Sequence, residues 1–132
     1  MTAGFRAVNQ GTGFVQIDGT YKNLCLRSKG TISVSTNYGG AYRAEVTLPS
    51  NNAIVAFSGG NFSLSWVTKV SGQIQVRLIT DQPRTITYYI FDDPANGQTF
   101  NINYGLIVRN PSTGETVFDS RKKYLKILDT IA

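Results

Sequence analysis

The chain has 132 residues, 13 of them Lys or Arg and 8 Asp or Glu, with one cysteine and no histidine. That length fits one domain, expected over residues 1–132, which buries roughly two-thirds of its unfolded surface. Lack of histidine removes the commonest general base, the His-dependent triads and the usual zinc ligand; a lone Cys25 excludes an internal disulfide, thiolate metal sites and redox pairs.

No apolar stretch approaches the length of a membrane span. The opening "MTAGFRAVN" has neither the basic region nor the apolar run of a signal peptide. The sequence therefore reads as a complete, soluble chain made in a cytoplasm. Its net charge of +5 permits an acidic partner without specifying one.

In chain order, "GFRAVNQGTGFVQIDGTYKNL" (residues 4–24) comes first, and it is echoed by "YGLIVRNPSTGETVFDSRKKYL" (residues 104–125). At a constant offset of 101 residues the two agree at Gly4/Gly105, Asn9/Asn110, Thr12/Thr113, Gly13/Gly114, Asp18/Asp119 and Leu24/Leu125. In each, a Gly opens a short strand and an Asn closes it. Asn and Gly both tolerate left-handed backbone angles, so N-x-x-x-G predicts a hairpin loop. The returning strand stops at Asp18 or Asp119, where a carboxylate can accept hydrogen bonds from the amides that follow. Each copy is thus expected to be one β-hairpin, its Gly, Asn and Asp serving the backbone. Two distant copies do not make a solenoid; the hairpins are expected at related places in a sandwich, one in each sheet or side by side.

Cys25, between Leu24 and Leu26, reads as an inert structural residue. "STNYGGAYR" reads as a Gly-rich loop presenting Tyr38 and Tyr42. In "RAEVTL", Ala44, Val46 and Leu48 alternate with Arg43, Glu45 and Thr47. "FSLSWVTKV" is expected to point Phe62, Leu64 and Trp66 inward and Ser63, Ser65 and Lys69 outward. "QIQVRLI" sends Ile74, Val76 and Leu78 to the core, and "TITYYIF" has the β-branched and aromatic content of a strand. "SGG", "SGQ", "DQP" and "DDPANG" punctuate these runs as turns. Nine or ten short strands at such spacing predict a β-sandwich or closed barrel. The all-β antiparallel sandwich, immunoglobulin-like or jelly-roll-like with related hairpins at the two ends, is the reading adopted.

Asp18, Asp81, Asp92, Asp93 and Asp119 all fall in expected turns, which leaves no evident carboxylate pair for glycosidase chemistry. "FSGGNFS" lacks the Lys and the helix of a phosphate loop. "DDPANG" lacks the ligand spacing and closing glutamate of a calcium loop. No cofactor, no metal and no catalysis is expected. Arg121, Lys122, Lys123 and Lys126 cluster near the C-terminus, while the other basic residues are scattered; a nucleic-acid reader calls for a broader stripe with aromatics alongside. "RKKYLKILDTIA" alternates, which points Leu125 and Ile127 inward and Tyr124 and Lys126 outward. Candidate partner-binding residues are therefore Tyr38, Tyr42, Arg121, Lys122, Lys123 and Tyr124.

"YGLIVRNPSTGETVFDSRKKYLKI", residues 104–127, is similar to a pattern in small proteins of tailed bacteriophages: Tyr-Gly, a short apolar strand, Asn, a Gly turn, then Phe-Asp-Ser and Tyr-Leu. The first copy resembles the start of such proteins, with Gly19 standing where the second has Ser120. The resemblance covers about a third of the chain, at its two ends. It implies a non-enzymatic virion structural protein of the tail tip or the collar around it, assembled in the host cytoplasm through contacts with itself, as a ring, or with other tail proteins. A lectin-like module gripping host-surface glycan through Tyr38 and Tyr42 is the alternative.

Overall fold

The computed structural model describes residues 6–8, 10–11, 15–18 and 22–125. Among them are eleven strands and no helix: β1 (Arg6–Val8), β2 (Val15–Asp18), β3 (Cys25–Val34), β4 (Thr36–Tyr38), β5 (Ala41–Thr47), β6 (Ile54–Ser58), β7 (Ser63–Val70), β8 (Gln73–Thr80), β9 (Arg84–Asp92), β10 (Ile107–Arg109) and β11 (Thr116–Asp119). None of the described residues forms a helix long and apolar enough to cross a membrane. The chain divides into two compact units, Arg27–Phe91 and the paired segments Met1–Leu26 with Asp92–Ala132.

The Arg27–Phe91 unit is a β-sandwich, the all-β architecture expected from the alternation. One sheet has the order β3-β9-β6 and the other β4-β5-β8-β7. Alternation decides what each sheet turns inward. Val46 and Leu48 pack with Ala53 and Ile90 in one core cluster, while Val34, Leu78 and Ile86 form another, with Ile32 and Phe57 touching both. Leu78 and Ile86 are fully buried. Tight turns keep these strands antiparallel: Tyr38 pairs with Ala41 across Gly39–Gly40, whose φ values of 64° and 90° suit the twist of a two-residue hairpin.

One strand departs from expectation. β7 starts in register with β8, with Ser63 opposite Ile79 and Leu64 opposite Leu78, but Trp66 then lies opposite Arg77. Ser65 is the extra residue of a bulge, and beyond it the two faces exchange. Trp66 therefore leaves the core face to which simple alternation assigns it, and Val67 and Lys69 take up the side of Val76 and Ile74. Leu64 and Val67 share the core-facing side yet remain 56% and 62% exposed. Four strands face three, and β7 is one of the two edge strands of the larger sheet.

The second unit holds the doubled hairpin. In the first copy Arg6 pairs with Asp18, Ala7 with Ile17 and Val8 with Val15; in the second Ile107 pairs with Asp119, Val108 with Phe118 and Arg109 with Thr116. Every pair of the second lies 101 residues beyond its counterpart, and the register slips at the same step, leaving Gln16 and Val117 as the inserted residues. Each hairpin forms its own two-stranded sheet instead of joining those of the sandwich. Gly4, Asn9 and Gly13 lie outside the described residues, so the loop chemistry is read from the second copy. There Asn110 Oδ1 accepts hydrogen bonds from the amides of Ser112 (2.8 Å) and Thr113 (3.2 Å), the Gly114 amide donates to the Asn110 carbonyl (2.8 Å), and Gly114 takes φ 73°.

Gly105 corrects the expectation that a glycine opens each strand. It stands outside the hairpin, and β10 begins only at Ile107. The reason lies across from it, at Ser120. Ser120 Oγ accepts from the Leu106 amide at 2.8 Å while the Ser120 amide donates to the Leu106 carbonyl at 2.9 Å, so a side chain takes up the pairing before the ladder starts. Gly105 serves that close approach: a Cβ there would lie 2.7 Å from Ser120 Oγ and 3.0 Å from Arg121 Cγ. Its role is steric clearance, not strand initiation.

The two copies also meet. The Leu125 amide donates to the Leu24 carbonyl (2.9 Å), the Leu26 amide donates to the Lys123 carbonyl (2.6 Å), and Cys25 lies opposite Tyr124. Leu24 thus faces Leu125, its own counterpart in the repeat.

Beside this join, Cys25 is fully buried and Gly97 packs against it so closely that a Cβ on Gly97 would collide with Cys25 Sγ. Burial pushes the thiol's pKa up, in keeping with an inert structural cysteine. Gly97→Ala is expected to cost about 1–3 kcal/mol by overpacking. Cys25→Ala in the same chain is expected to recover most of that loss, a coupling that urea unfolding of the two single variants and the double variant measures.

Candidate functional site

The basic segment after β11 is engaged with its own chain. Asp119 is only 3% exposed and ends the hairpin as an Asx stop, its Oδ1 accepting from the Arg121 amide at 3.0 Å. The Arg121 side chain returns to the same carboxylate, Nε to Oδ1 at 2.9 Å and Nη2 to Oδ2 at 2.7 Å. Lys122 Nζ donates to the Gly97 carbonyl and to Thr99 Oγ1 (3.2 Å). Lys123 lies over the Phe100 ring at 4.6 Å from its centroid. Tyr124 is half-buried: it stacks on Phe118 with centroids 5.0 Å apart, and its hydroxyl accepts from the Asp119 amide. Burial raises the Tyr124 pKa, so the phenol stays protonated. Arg121 and Tyr124 close as a clasp around Asp119, while Lys122 and Lys123 turn to Gly97, Thr99 and Phe100.

Lys22 and Lys123 also stand at the offset of 101. Lys22 crosses to Glu115 of the other copy at 3.0 Å. The counterpart of Glu115 is Phe14, which offers no charge, and Lys123 turns to Phe100 instead. Symmetry of the backbone has outlived symmetry of the side chains.

Tyr38 and Tyr42 lie on strands, with the tight Gly39–Gly40 turn between β4 and β5, and on opposite faces of their sheet. Tyr42 packs against the core cluster of Val34, Leu78 and Ile86. Tyr38 is 66% exposed, and the Arg43 guanidinium lies over its ring, 3.8 Å from the centroid. On the same outer face Arg77 stacks over Trp66 at 4.1 Å and holds Glu45 through Nη2 at 2.6 Å and Nε at 2.9 Å. Tyr38, Arg43 and Arg77 line a hollow of about 120 Å³ with Ala41 and Ile79. Of these residues the sequence singled out Tyr38. Arg43 and Arg77 were legible as outward-facing, but nothing local in the sequence pairs them with aromatics on other strands.

"DDPANG" is a turn, as its composition predicts. Asp92 is fully buried, accepting from the Asp93 amide at 2.8 Å and from Asn96 Nδ2 at 3.3 Å. Among the described residues no group of three or more His, Cys, Asp or Glu side chains is placed to hold a metal ion. No family model matches the chain, and no curated protein or solved structure matches it either.

The Asp119 clasp makes stability depend on acid. Hydrogen bonds from Arg121 hold the carboxyl below its ordinary range, against the opposing effect of burial. As pH falls, the unfolded chain therefore takes up a proton at about 3.9 before the folded chain does. The contribution is complete above about pH 4 and is lost as pH drops through the depressed folded value. Urea midpoints measured from pH 7 to pH 2.5 are expected to fall less steeply with acid in Asp119→Asn than in the parent, whose midpoint at pH 7 is the higher.

Proposed function

We propose that this chain is a non-enzymatic structural subunit of a tailed-phage virion, working through protein–protein contacts in the tail tip or the collar around it. The observation that carries the assembly reading is strand β7. It is one of the two edge strands of its sheet among the described residues, and with eight residues it is the longer, β4 having three. Leu64, Val67 and Val70 along it are 56%, 62% and 42% exposed, with Lys69 its one charge. Soluble proteins normally guard such an edge with charges, proline or a cover. Guarded only by Lys69 and the bulge at Ser65, it offers backbone hydrogen bonds and side-chain contacts to an added strand, a recurrent way of joining chains.

Other features support the same reading. Ile102, Tyr104, Leu106 and Ile107 are 41%, 83%, 46% and 41% exposed in the segment entering the second hairpin, an apolar stretch of the kind that marks contact surfaces. The similarity of the two chain ends to small tail proteins supports the virion setting, with assembly in the host cytoplasm. The absence of histidine from the whole sequence agrees with a role that turns over no substrate.

Light scattering at low and at high salt reads the absolute mass in solution. A discrete species of ring size is expected. Leu64→Lys with Val67→Lys, both at exposed positions, is expected to return it to monomer without loss of folded structure by circular dichroism. A monomer under both salt conditions counts against self-assembly, and a ring that survives the double substitution counts against β7 as its contact.

A further inference from the structure

We infer that the outer face of the β4-β5-β8-β7 sheet is a binding site for a carboxylated glycan, with Arg43 as its anion-binding residue. Register places three charged side chains on this face among the described residues: Arg43, Glu45 and Arg77. Glu45 and Arg77 face each other and are ion-paired, so they offset one another. Arg43 has no carboxylate partner among the described residues. Its guanidinium is stacked on Tyr38, which fixes the plane and leaves the N–H donors around its edge. A planar, oriented, unpaired guanidinium at the wall of a hollow suits one carboxylate, held by parallel hydrogen bonds.

The surroundings suit sugar more than any other anion. The 120 Å³ hollow adjoins a larger one of about 400 Å³, which shares Ala41 and Ile79 with it and adds Asn61, Ser63 and Asp81. Its donors and acceptors match sugar hydroxyls. Tyr38 at one margin of the sheet and Trp66 at the other each carry a guanidinium on one ring face, Arg43 and Arg77 respectively, so apolar contact with pyranose rings falls to their uncovered faces and edges. Asp81, the one carboxylate in the lining of the larger hollow, is already paired with Arg84 at 3.1 Å. A polyanion such as single-stranded nucleic acid requires a track of several cations along its backbone. One uncompensated charge does not make such a track. The site shares Ser63 and Trp66 with the assembly strand β7, but it uses side chains on the outer face where strand addition uses backbone groups in the plane of the sheet.

Trp66 is the sole tryptophan, so its emission reports ligand on this face directly. The probes are sialyllactose and a short oligogalacturonate, which separate sialic from uronic acids, with lactose as the neutral control and an oligothymidylate as the polyanion. A saturable change with at least one acidic sugar is expected, and none with lactose. Arg43→Ala is expected to weaken that binding about tenfold or more, equivalent to about 1.4 kcal/mol, with Arg43→Lys between them because a point charge replaces the fork. If Arg43→Ala disturbs the circular dichroism spectrum, Arg43→Gln takes its place. Lactose binding as well as sialyllactose, no acidic sugar binding at millimolar concentration, or unchanged affinity in the Arg43 variants would each overturn the proposal. So would oligothymidylate binding more tightly than either sugar with a steep loss on adding salt.

Discussion

A strand repeats every two residues, and a single inserted residue therefore decides which side chains meet the core and which meet solvent. Much of this molecule turns on that constraint. In the doubled hairpin the insertion falls at Gln16 and Val117, at the same step of both copies. Val117 is fully buried there, so the extra residue fills space instead of looping out. In β7 the insertion at Ser65 has the opposite consequence, moving the one tryptophan onto the outer face beside Arg77.

What was legible in the sequence follows the same logic. Where the alternation runs unbroken, as through Ala44, Val46 and Leu48 or Ile74, Val76 and Leu78, it predicts the buried face correctly. The repeat was legible because its matched residues have backbone roles that side-chain drift does not erase: Asn110 organises the loop, Gly114 supplies the left-handed angle, and Asp119 stops the strand. Gly105 was legible as a matched glycine but not in its role, because the side chain it makes room for, Ser120, stands fifteen residues away. The bulge in β7 left no mark at all. Ser65 in "FSLSWVTKV" continues the alternation perfectly on paper, and only the pairing with β8 shows that it is the inserted residue.

Charge was harder to read than hydropathy, because a sequence shows where charges stand and not what they engage. Arg121, Lys122 and Lys123 form the densest basic run, yet a carboxylate, a carbonyl and a phenyl ring of the same unit take them up. Arg43 and Arg77 look alike as outward residues of alternating strands. Their difference lies in Glu45, which sits opposite Arg77 and leaves Arg43 without a carboxylate partner among the described residues. Net charge, accordingly, says little about this protein's partners; the placement of one glutamate says more.

Strand β7 serves both proposed contacts, and the geometry of a sheet keeps them apart. Strand addition at an edge uses N–H and C=O groups that lie in the plane of the sheet, with side chains above and below. The bulge sets Leu64 and Val67 on the core-facing side, uncovered, and Trp66 on the other. A partner strand at the edge would extend both faces by one spacing, about 4.8 Å. It would shield Leu64 and Val67 from water and leave the stacked Tyr38–Arg43 pair, on the far margin at β4, untouched. Three inter-strand spacings separate the two margins of the sheet. Assembly through one and ligand capture near the other are compatible on the same sheet, because the first consumes backbone and the second consumes side chains.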